Sequence, residues 1–268
     1  ALLGRAEVRF LQGNADSAIA DFTEAAELAP GSTAPLAGRA RVFQATDDLA
    51  SALADYTSAI LIDSTDPALY IGRAAVLRAL DDIDQAEIDY ANALQLDPEN
   101  VSALLGRAGV AAELGDPDAA QAGYTAALAI EPALVQAYWG RASLFEHAGD
   151  YRSAIADYSQ IIRYNPNDGV AYFSRGNAYR AQGRPDLALS DYDRALEIDQ
   201  NYVAAYAARA RIHQDMDDAE TAIADYSAAI SLSPNHAPYY VDRGNAHLAL
   251  PDLDKAFADF AMAIRLDP

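Results

Sequence analysis

The residues of this sequence best able to do chemistry are its four histidines and 40 carboxylates. His213 and His247 stand 34 residues apart and could form a pair of imidazole ligands for a metal if further ligands lay nearby. Positions at multiples of that spacing hold rings, as in Phe43, Phe145 and Tyr179, which favours packing over metal binding. No carboxylate pair, nucleophile–base set or Gly-rich phosphate loop stands out. We therefore expect no catalytic residue, no metal site and no cofactor.

A column of arginines, meaning a set of positions 34 residues apart, is the second candidate for chemistry. Its members are Arg5, Arg39, Arg73, Arg107, Arg141, Arg175, Arg209 and Arg243. An acid follows most of them by sixteen residues, at Asp21, Asp55, Asp89, Asp157, Asp191, Asp225 and Asp259. We predict hydrogen-bonded Arg–Asp pairs with a structural role, formed within one repeat. The alternative is pairing between neighbouring repeats, in which case Arg141 would lack its partner. Gly123 takes the place of the acid after Arg107, which should lack that partner.

The elements that must position these pairs are helices. One column is alanine throughout, at Ala18, Ala52, Ala86, Ala120, Ala154, Ala188, Ala222 and Ala256. Four residues later comes an aromatic column, at Phe22, Tyr56, Tyr90, Tyr124, Tyr158, Tyr192, Tyr226 and Phe260. Spacings of four, three and seven mark one face of a helix. A second helix, which carries the arginine, precedes this one in every copy.

Turn and capping residues separate the helices. The residues expected to cap the second helix of a copy are Asn14, Asp48, Asp82, Asp116, Asp150, Asp218 and Asp252. A proline near the end of most copies should stop that helix, at Pro30, Pro98, Pro132, Pro166, Pro234 and Pro268. Ser64 and Gln200 replace it in two copies.

These columns resemble the tetratricopeptide repeat family over the entire chain. The sixth copy shows the pattern best, in Tyr172, Gly176, Ala178, Tyr179, Gly183, Ala188, Tyr192 and Ala195. The resemblance implies an all-α fold, a right-handed superhelical solenoid of antiparallel helix pairs, whose first helices line a concave groove that holds a peptide. It also implies a single array over residues 1–268. The expected repeats are 1–32, 33–66, 67–100, 101–134, 135–168, 169–202, 203–236 and 237–268.

Two known ligand-binding patterns of the family are missing. Where one subset of the family carries a lysine that grips acidic tails, this chain has Leu3, Ala37, Ile71, Leu105, Trp139, Phe173, Ala207 and Val241. Where another subset carries an asparagine ladder, it has Gly4, Gly38, Gly72, Gly106, Gly140, Ser174, Ala208 and Asp242. The first of these two columns is apolar throughout, so the groove floor should be apolar.

The groove charges should cancel, because the resemblance places four acids and four arginines there. These are Glu7, Arg41, Arg78, Glu113, Glu146, Arg180, Arg211 and Asp215. The most distinctive segment runs through repeats five to eight, where aromatic rings could anchor a peptide and amides could bind its backbone. The predicted site is Gln136, Trp139, Glu146, His147, Phe173, Asn177, Arg180, Arg211 and Asn245. The alternative is that the two rings only pack between helices.

The overall charge and composition restrict the classes of partner that the chain can bind. A net charge of −21 repels polyphosphates, so nucleic acids and anionic membrane surfaces are poor candidates. No apolar run is long enough to enter a bilayer as a helix, and no signal-like segment opens the chain. Cysteine is absent, which removes disulfides and thiol chemistry and leaves the compartment undecided.

Three functions remain open at this point. The first is a scaffold that binds a peptide or an extended segment of a protein in its groove. The second is a self-assembling module, because the apolar first and last helices lack a neighbouring repeat and could stack end to end. The third is the regulatory repeat array of a larger enzyme, such as a transferase or a kinase.

Overall fold

The computed structural model describes residues 1–267, so Pro268, predicted to end the last repeat, lies outside the described residues. These residues form helices and turns, with no strand among them. The helices are α1 (Leu2–Leu11), α2 (Ala15–Leu28), α3 (Thr33–Ala45), α4 (Leu49–Ile62), α5 (Pro67–Ala79), α6 (Ile83–Leu96), α7 (Val101–Glu113), α8 (Pro117–Ile130), α9 (Val135–His147), α10 (Tyr151–Tyr164), α11 (Gly169–Ala181), α12 (Pro185–Ile198), α13 (Val203–Asp215), α14 (Ala219–Leu232), α15 (Ala237–Ala249) and α16 (Leu253–Leu266). No described helix is long and apolar enough to span a membrane.

The described residues form two compact units, 1–144 and 145–267, and the division falls inside α9. In the first unit α1 packs on α2, α3 on α4, α5 on α6 and α7 on α8. In the second, α11 packs on α12, α13 on α14 and α15 on α16. The predicted all-α fold of successive antiparallel helix pairs is therefore confirmed.

Alanine and one aromatic ring per repeat build the core of each pair. In the second repeat Ala40, Ala52 and Ala59 are fully buried around Tyr56, which is 4% exposed. The small side chains let the helix backbones approach, and the ring fills the remaining space. This packing explains why both columns recur in every copy.

The glycine column receives that ring from the preceding repeat. A β-carbon added at Gly38, Gly72 or Gly106 would lie less than 3.0 Å from the ring of Phe22, Tyr56 or Tyr90 respectively. Only a residue without a β-carbon leaves the ring this room. Gly4, in the same column of the first helix, has no such neighbour within 4 Å. The glycines are therefore packing residues.

The turns follow the prediction with one exception. Asp48, Asp82, Asp116, Asp150, Asp218 and Asp252 each accept a hydrogen bond at the start of the second helix of their repeat from the backbone N–H three residues later. Asn14 occupies the same position but makes no side-chain capping bond. One residue before each cap the backbone turns left-handed in several repeats, at Gly13, Gly115, Gly149 and Gly183 and also at Asp47, Asp81 and Asp217.

The prolines lie where the sequence predicts. Helix α6 ends at Leu96 and α14 at Leu232, two residues before Pro98 and Pro234. However, α4 ends at Ile62 without a proline at position 64, where Ser64 stands. The proline column therefore marks the ends of these helices but is not needed to end them.

Candidate functional site

Arginines of the column form paired contacts with aspartates of their own repeats, as predicted. Nε and Nη2 of Arg39 donate to the two carboxylate oxygens of Asp55, both at 2.7 Å. The same two-bond geometry joins Arg5–Asp21, Arg73–Asp89, Arg175–Asp191, Arg209–Asp225 and Arg243–Asp259. All six aspartates are buried. Because each carboxylate is desolvated and satisfied by its own guanidinium, the pairs are structural.

We call these Arg–Asp pairs the arginine ladder. In several repeats a third nitrogen of the ladder arginine, Nη1, donates to a side chain of the preceding repeat. Nη1 of Arg175 donates to the Ser159 hydroxyl at 3.1 Å, and Nη1 of Arg243 donates to the Ser227 hydroxyl at 2.9 Å. Arg39 uses Thr23 in the same way at 2.9 Å. Sequence reasoning missed this contact, although a hydroxyl sixteen residues before the arginine was the available signal. Each such arginine therefore links two consecutive helix pairs.

Arg107 lacks the ladder aspartate, as predicted, and binds another acid. Its Nε donates to Oε1 of Glu87, on α6 of the preceding repeat, at 2.7 Å. Glu87 stands in a column that is otherwise Ile19, Leu53, Gln121, Ile155, Leu189, Ile223 and Phe257. A carboxylate in this mostly apolar column indicates a polar partner nearby, which here is Arg107.

A cleft of about 530 Å³ in the second unit brings five of the predicted groove residues together. Its lining includes Glu146, Phe173, Asn177, Arg180 and Arg211. Alanines of α13 form part of its wall, and an aromatic pair, His236 and Tyr239 with ring centroids 4.1 Å apart, closes one side. Helices α11 and α13 supply most of the lining residues. Asn177 of α11 and Arg211 of α13 occupy the same position in consecutive repeats.

Phe173 both packs and lines this cleft. Its ring centroid lies 5.7 Å from that of Tyr192 and 5.0 Å from that of Tyr202, and the side chain is half-buried. The packing interpretation therefore holds for the inner part of the ring. The part that remains accessible contributes to the cleft wall.

Asn177 is oriented by a buried tyrosine. Its Oδ1 accepts a hydrogen bond of 2.7 Å from the Tyr192 hydroxyl. Burial raises the pKa of Tyr192, whereas the Arg180 guanidinium nearby lowers it. The hydroxyl therefore stays protonated at neutral pH and fixes the amide, so that the Asn177 NH₂ group remains available as a donor.

The groove charges pair in the first unit and less completely in the second. Arg41 donates to both oxygens of Glu7, and Arg78 forms an ion pair with Glu113. Arg211 contacts Asp242 at 3.2 Å and stays half-exposed.

Arg180 is exposed, and its guanidinium makes no ion pair with any residue that the structure describes. The predicted cancellation of groove charges therefore takes the form of ion pairs in two cases, Arg41–Glu7 and Arg78–Glu113. It leaves Arg180, which contacts the Tyr192 hydroxyl, without an ion-pair partner among the described residues.

Four predicted site residues lie elsewhere. Gln136 and Trp139 belong to the first unit, where Gln136 is exposed and Trp139 half-buried on α9. His147, at the end of α9, and Asn245, on α15, are exposed and do not belong to the cleft lining.

The two histidines of one column are packing residues with acidic neighbours. His247 is 7% exposed, and its Nε2 lies 3.9 Å from Oδ2 of Asp259, the ladder partner of Arg243. Nδ1 of His213 lies 3.4 Å from Oδ2 of Asp218. Within residues 1–267 no three potential ligands cluster to hold a metal.

Comparisons with family models give matches over most of the chain. One model described as tetratricopeptide repeat matches residues 71–134, 105–151 and 207–268. Others with the same description match residues 136–168 and 169–202. No curated protein matches the sequence.

Solved structures share the fold at low sequence identity. A tetratricopeptide repeat protein from Parabacteroides merdae is 22% identical with a TM-score of 0.63, over 96% of this chain and 97% of its own. The C-terminal part of a repeat-containing protein from Cytophaga hutchinsonii is 21% identical with a TM-score of 0.74, over 85% and 94%. YrrB, described as a TPR protein with an unusual peptide-binding site, is 22% identical with a TM-score of 0.59, over 69% and 95%.

Proposed function

Because this chain belongs to the tetratricopeptide repeat family, whose fold is typically a non-catalytic scaffold for protein partners, we propose that it binds an extended peptide segment of another protein in the cleft of its second unit. The observation that carries the proposal is the Arg180 guanidinium, which has no ion-pair partner among the described residues and lines the same cleft as the half-buried ring of Phe173. No catalytic role is proposed for any residue.

The chemistry of the cleft fits a peptide in three ways. The Phe173 ring and the alanines of α13 offer an apolar surface for one side chain. The Asn177 NH₂ group can donate to a backbone carbonyl, because its Oδ1 is already occupied by Tyr192. Arg180 and Arg211 favour a peptide that carries an acid near the anchored side chain. The description of YrrB as having an unusual peptide-binding site supports the general role, at 22% identity.

A displayed library of random twelve-residue peptides, selected on the full chain, tests the proposal. The affinities of the enriched peptides are then measured for the wild-type chain and for the variants Arg180→Ala, Arg211→Ala and Arg41→Ala. Arg41 occupies the same column as Arg211 but lies in the first unit, paired with Glu7, so its variant is the matched control. We expect at least a roughly tenfold loss for each cleft variant and none for the control. Equal loss in all three variants, or none in the cleft variants, would contradict the proposal.

A second candidate function is self-association through α16. Leu253, Phe257 and Ile264 are 66%, 76% and 66% exposed, and they share one face of the helix. Exposed large apolar side chains grouped in this way favour contact with another protein surface. We propose a second copy of this chain as that surface. Sedimentation should show association that depends on concentration and is suppressed by Phe257→Ser but not by Leu61→Ser, a control on α4 at 83% exposure.

A further inference from the structure

A second pocket lies in the first unit, where the arginine ladder is interrupted. It has a volume of about 370 Å³ and lies between α6, α7 and α8. Leucines and alanines form most of its wall, and Glu87 and Arg107 are the only charged residues among the described residues that line it. The pocket is therefore an apolar hollow with one guanidinium in its wall.

The chain does not supply the ladder carboxylate to this arginine. Gly123 stands sixteen residues after Arg107, where the other repeats have an aspartate. A β-carbon at Gly123 would lie only 2.8 Å from the β-carbon of Ala108 on α7. Helices α7 and α8 therefore pack too closely at this level to accept an aspartate without a shift of one of them.

Two nitrogens of Arg107 have no hydrogen-bond partner in the protein. Nε donates to Oε1 of Glu87 at 2.7 Å, and neither Nη1 nor Nη2 makes a hydrogen bond to any residue in the range 1–267. Ala91, sixteen residues before Arg107, lacks the hydroxyl that other ladder arginines use. The arginine side chain is 48% exposed. Nη1 and Nη2 stand side by side at the end of the guanidinium, and such a pair of donors can bind both oxygens of a carboxylate.

Arginines of this column can hold two carboxylates at once. Arg209 donates through Nε and Nη2 to Asp225, at 2.8 and 2.6 Å, and through Nη1 to Asp193 at 2.6 Å. The ion pair with Glu87 therefore leaves Arg107 able to bind a second carboxylate. Oε2 of Glu87 is buried and has no hydrogen-bond partner among the described residues, so it takes no part in that binding.

We propose that this pocket binds a small monocarboxylic acid, in its ionised form, that carries an apolar body. The carboxylate oxygens accept from Nη1 and Nη2 of Arg107, and the apolar body lies against the leucines and alanines. An amine would bring a like charge to the guanidinium, and a primary amide offers one acceptor oxygen in place of two. This site is independent of the peptide cleft, because every residue that lines it belongs to the first unit.

Phenylacetate is a suitable probe. Phenylacetamide is its neutral analogue of the same shape, and acetate keeps the carboxylate without the apolar body. Titration of phenylacetate into the ¹⁵N-labelled full chain should shift amide signals of α6, α7 and α8, with a dissociation constant on the order of 1 mM for so small a ligand. Each analogue should bind at least roughly tenfold more weakly, because one lacks the charge-assisted hydrogen bonds and the other lacks the buried apolar surface.

Two variants test the two halves of the site. Arg107→Gln removes the pair of charged donors, and Ala122→Leu, at an exposed position of α8, fills the apolar part of the pocket. Each should weaken phenylacetate binding at least roughly tenfold. The matched control is Arg194→Gln in the second unit, since Arg194 is 44% exposed and ion-paired with Glu197, and it should leave binding unchanged.

The second variant keeps the Arg107–Glu87 pair intact, so it tests the pocket even where Arg107→Gln disturbs the fold. The proposal is overturned by phenylacetamide that binds as tightly as phenylacetate, by unchanged binding in Ala122→Leu, or by no saturable shift at the highest soluble concentration of the probe.

A protein side chain could bring the same carboxylate to Arg107. A glutamate blocked at both ends, titrated in parallel, distinguishes the two sources. Tighter binding of phenylacetate supports a free acid, as expected for a wall that offers a peptide backbone no polar side chain besides Glu87 and Arg107. Equal or tighter binding of the blocked glutamate overturns that source and assigns the carboxylate to a protein.

Discussion

Arg39 and Asp55 lie sixteen residues apart and share two hydrogen bonds of 2.7 Å, with the aspartate buried and the arginine side chain 20% exposed. The hydrogen bonds that Arg39 donates to Asp55 are the main reason that the pKa of Arg39 is raised above its ordinary value. Because Nη1 of the same arginine donates to Thr23, this pair also joins the first repeat to the second. The repeated ladder is thus a means of fixing consecutive helix pairs, not a ligand site.

Removing the aspartate should therefore destabilise its own repeat. Asp55→Ala leaves a largely buried guanidinium without its partner and should cost about 2–3 kcal/mol. The double variant Arg39→Met, Asp55→Leu should cost less, since no charge is left unpaired. Native-state hydrogen exchange of α3 and α4 measures the loss locally, which suits an array that need not unfold as one unit. A double variant that is less stable than Asp55→Ala would contradict this account.

The glycine column gives a matched pair of substitutions with opposite signs. Gly72→Ala places a methyl group against the ring of Tyr56, and we expect a loss of about 1–3 kcal/mol from overpacking. Gly4→Ala meets no atom within 4 Å and should stabilise α1 by about 0.5–1 kcal/mol. Local hydrogen exchange again provides the measurement. If Gly72→Ala stabilised α5, the ring contact would not be the reason for the column.

The capping aspartates make the fold sensitive to acid. Hydrogen bonds from the Ser153 side chain and backbone lower the pKa of Asp150 below its ordinary value of 3.8. A carboxyl whose pKa is lower in the folded state contributes stability that is complete above the unfolded pKa and is lost as pH falls through the folded pKa. Carboxyl NMR titration should show Asp150 titrating below 3.8. Ser153→Ala should move its pKa upward, and an unchanged pKa would show that the Ser153 hydroxyl bond is not responsible.

A buried tyrosine sets the alkaline limit. Burial, together with the nearby Asp242 carboxylate, raises the pKa of Tyr226 to about 12. Since the unfolded chain loses this proton near the ordinary value of 10.0, the contribution of Tyr226 is present below that pH and is lost as pH rises toward the folded value. Absorbance titration of the wild type against Tyr226→Phe isolates the transition. A transition near 10 for this residue would contradict its burial.

The sequence is sufficient to predict the contacts and helix ends that recur with the 34-residue repeat. The pairing of Arg39 with Asp55 could be predicted because a fixed turn folds their two helices against each other and brings the two positions side by side. The caps and helix ends follow from the residues of the turns themselves. Membership of the cleft was harder to predict, since it depends on how neighbouring helices tilt and which rotamers the long side chains adopt. For that reason Arg180 and Arg211 line the cleft while His147 and Asn245 do not.

The sequence columns also carry information about other contacts. The hydroxyl of Ser159 stands sixteen residues before Arg175, as Thr23 does before Arg39, so this spacing favours the contact. Thr57 stands at the same spacing before Arg73, but no hydrogen bond joins these two residues, so the spacing is not sufficient. Glu87 interrupts a mostly apolar column one repeat before Gly123 interrupts the acidic one. The unsatisfied Oε2 of Glu87, however, depends on side-chain geometry that no pattern of residue types specifies.

Peptide binding in the cleft of the second unit is the central claim, and site-specific photo-crosslinking tests it most directly. A photoreactive phenylalanine analogue at Tyr239, which lines the cleft, should capture a selected peptide. The same analogue at Tyr164, which is 39% exposed and does not belong to the cleft lining, should not. Efficient capture at position 239 alone is the predicted result. Capture at position 164 with none at 239 would contradict the account.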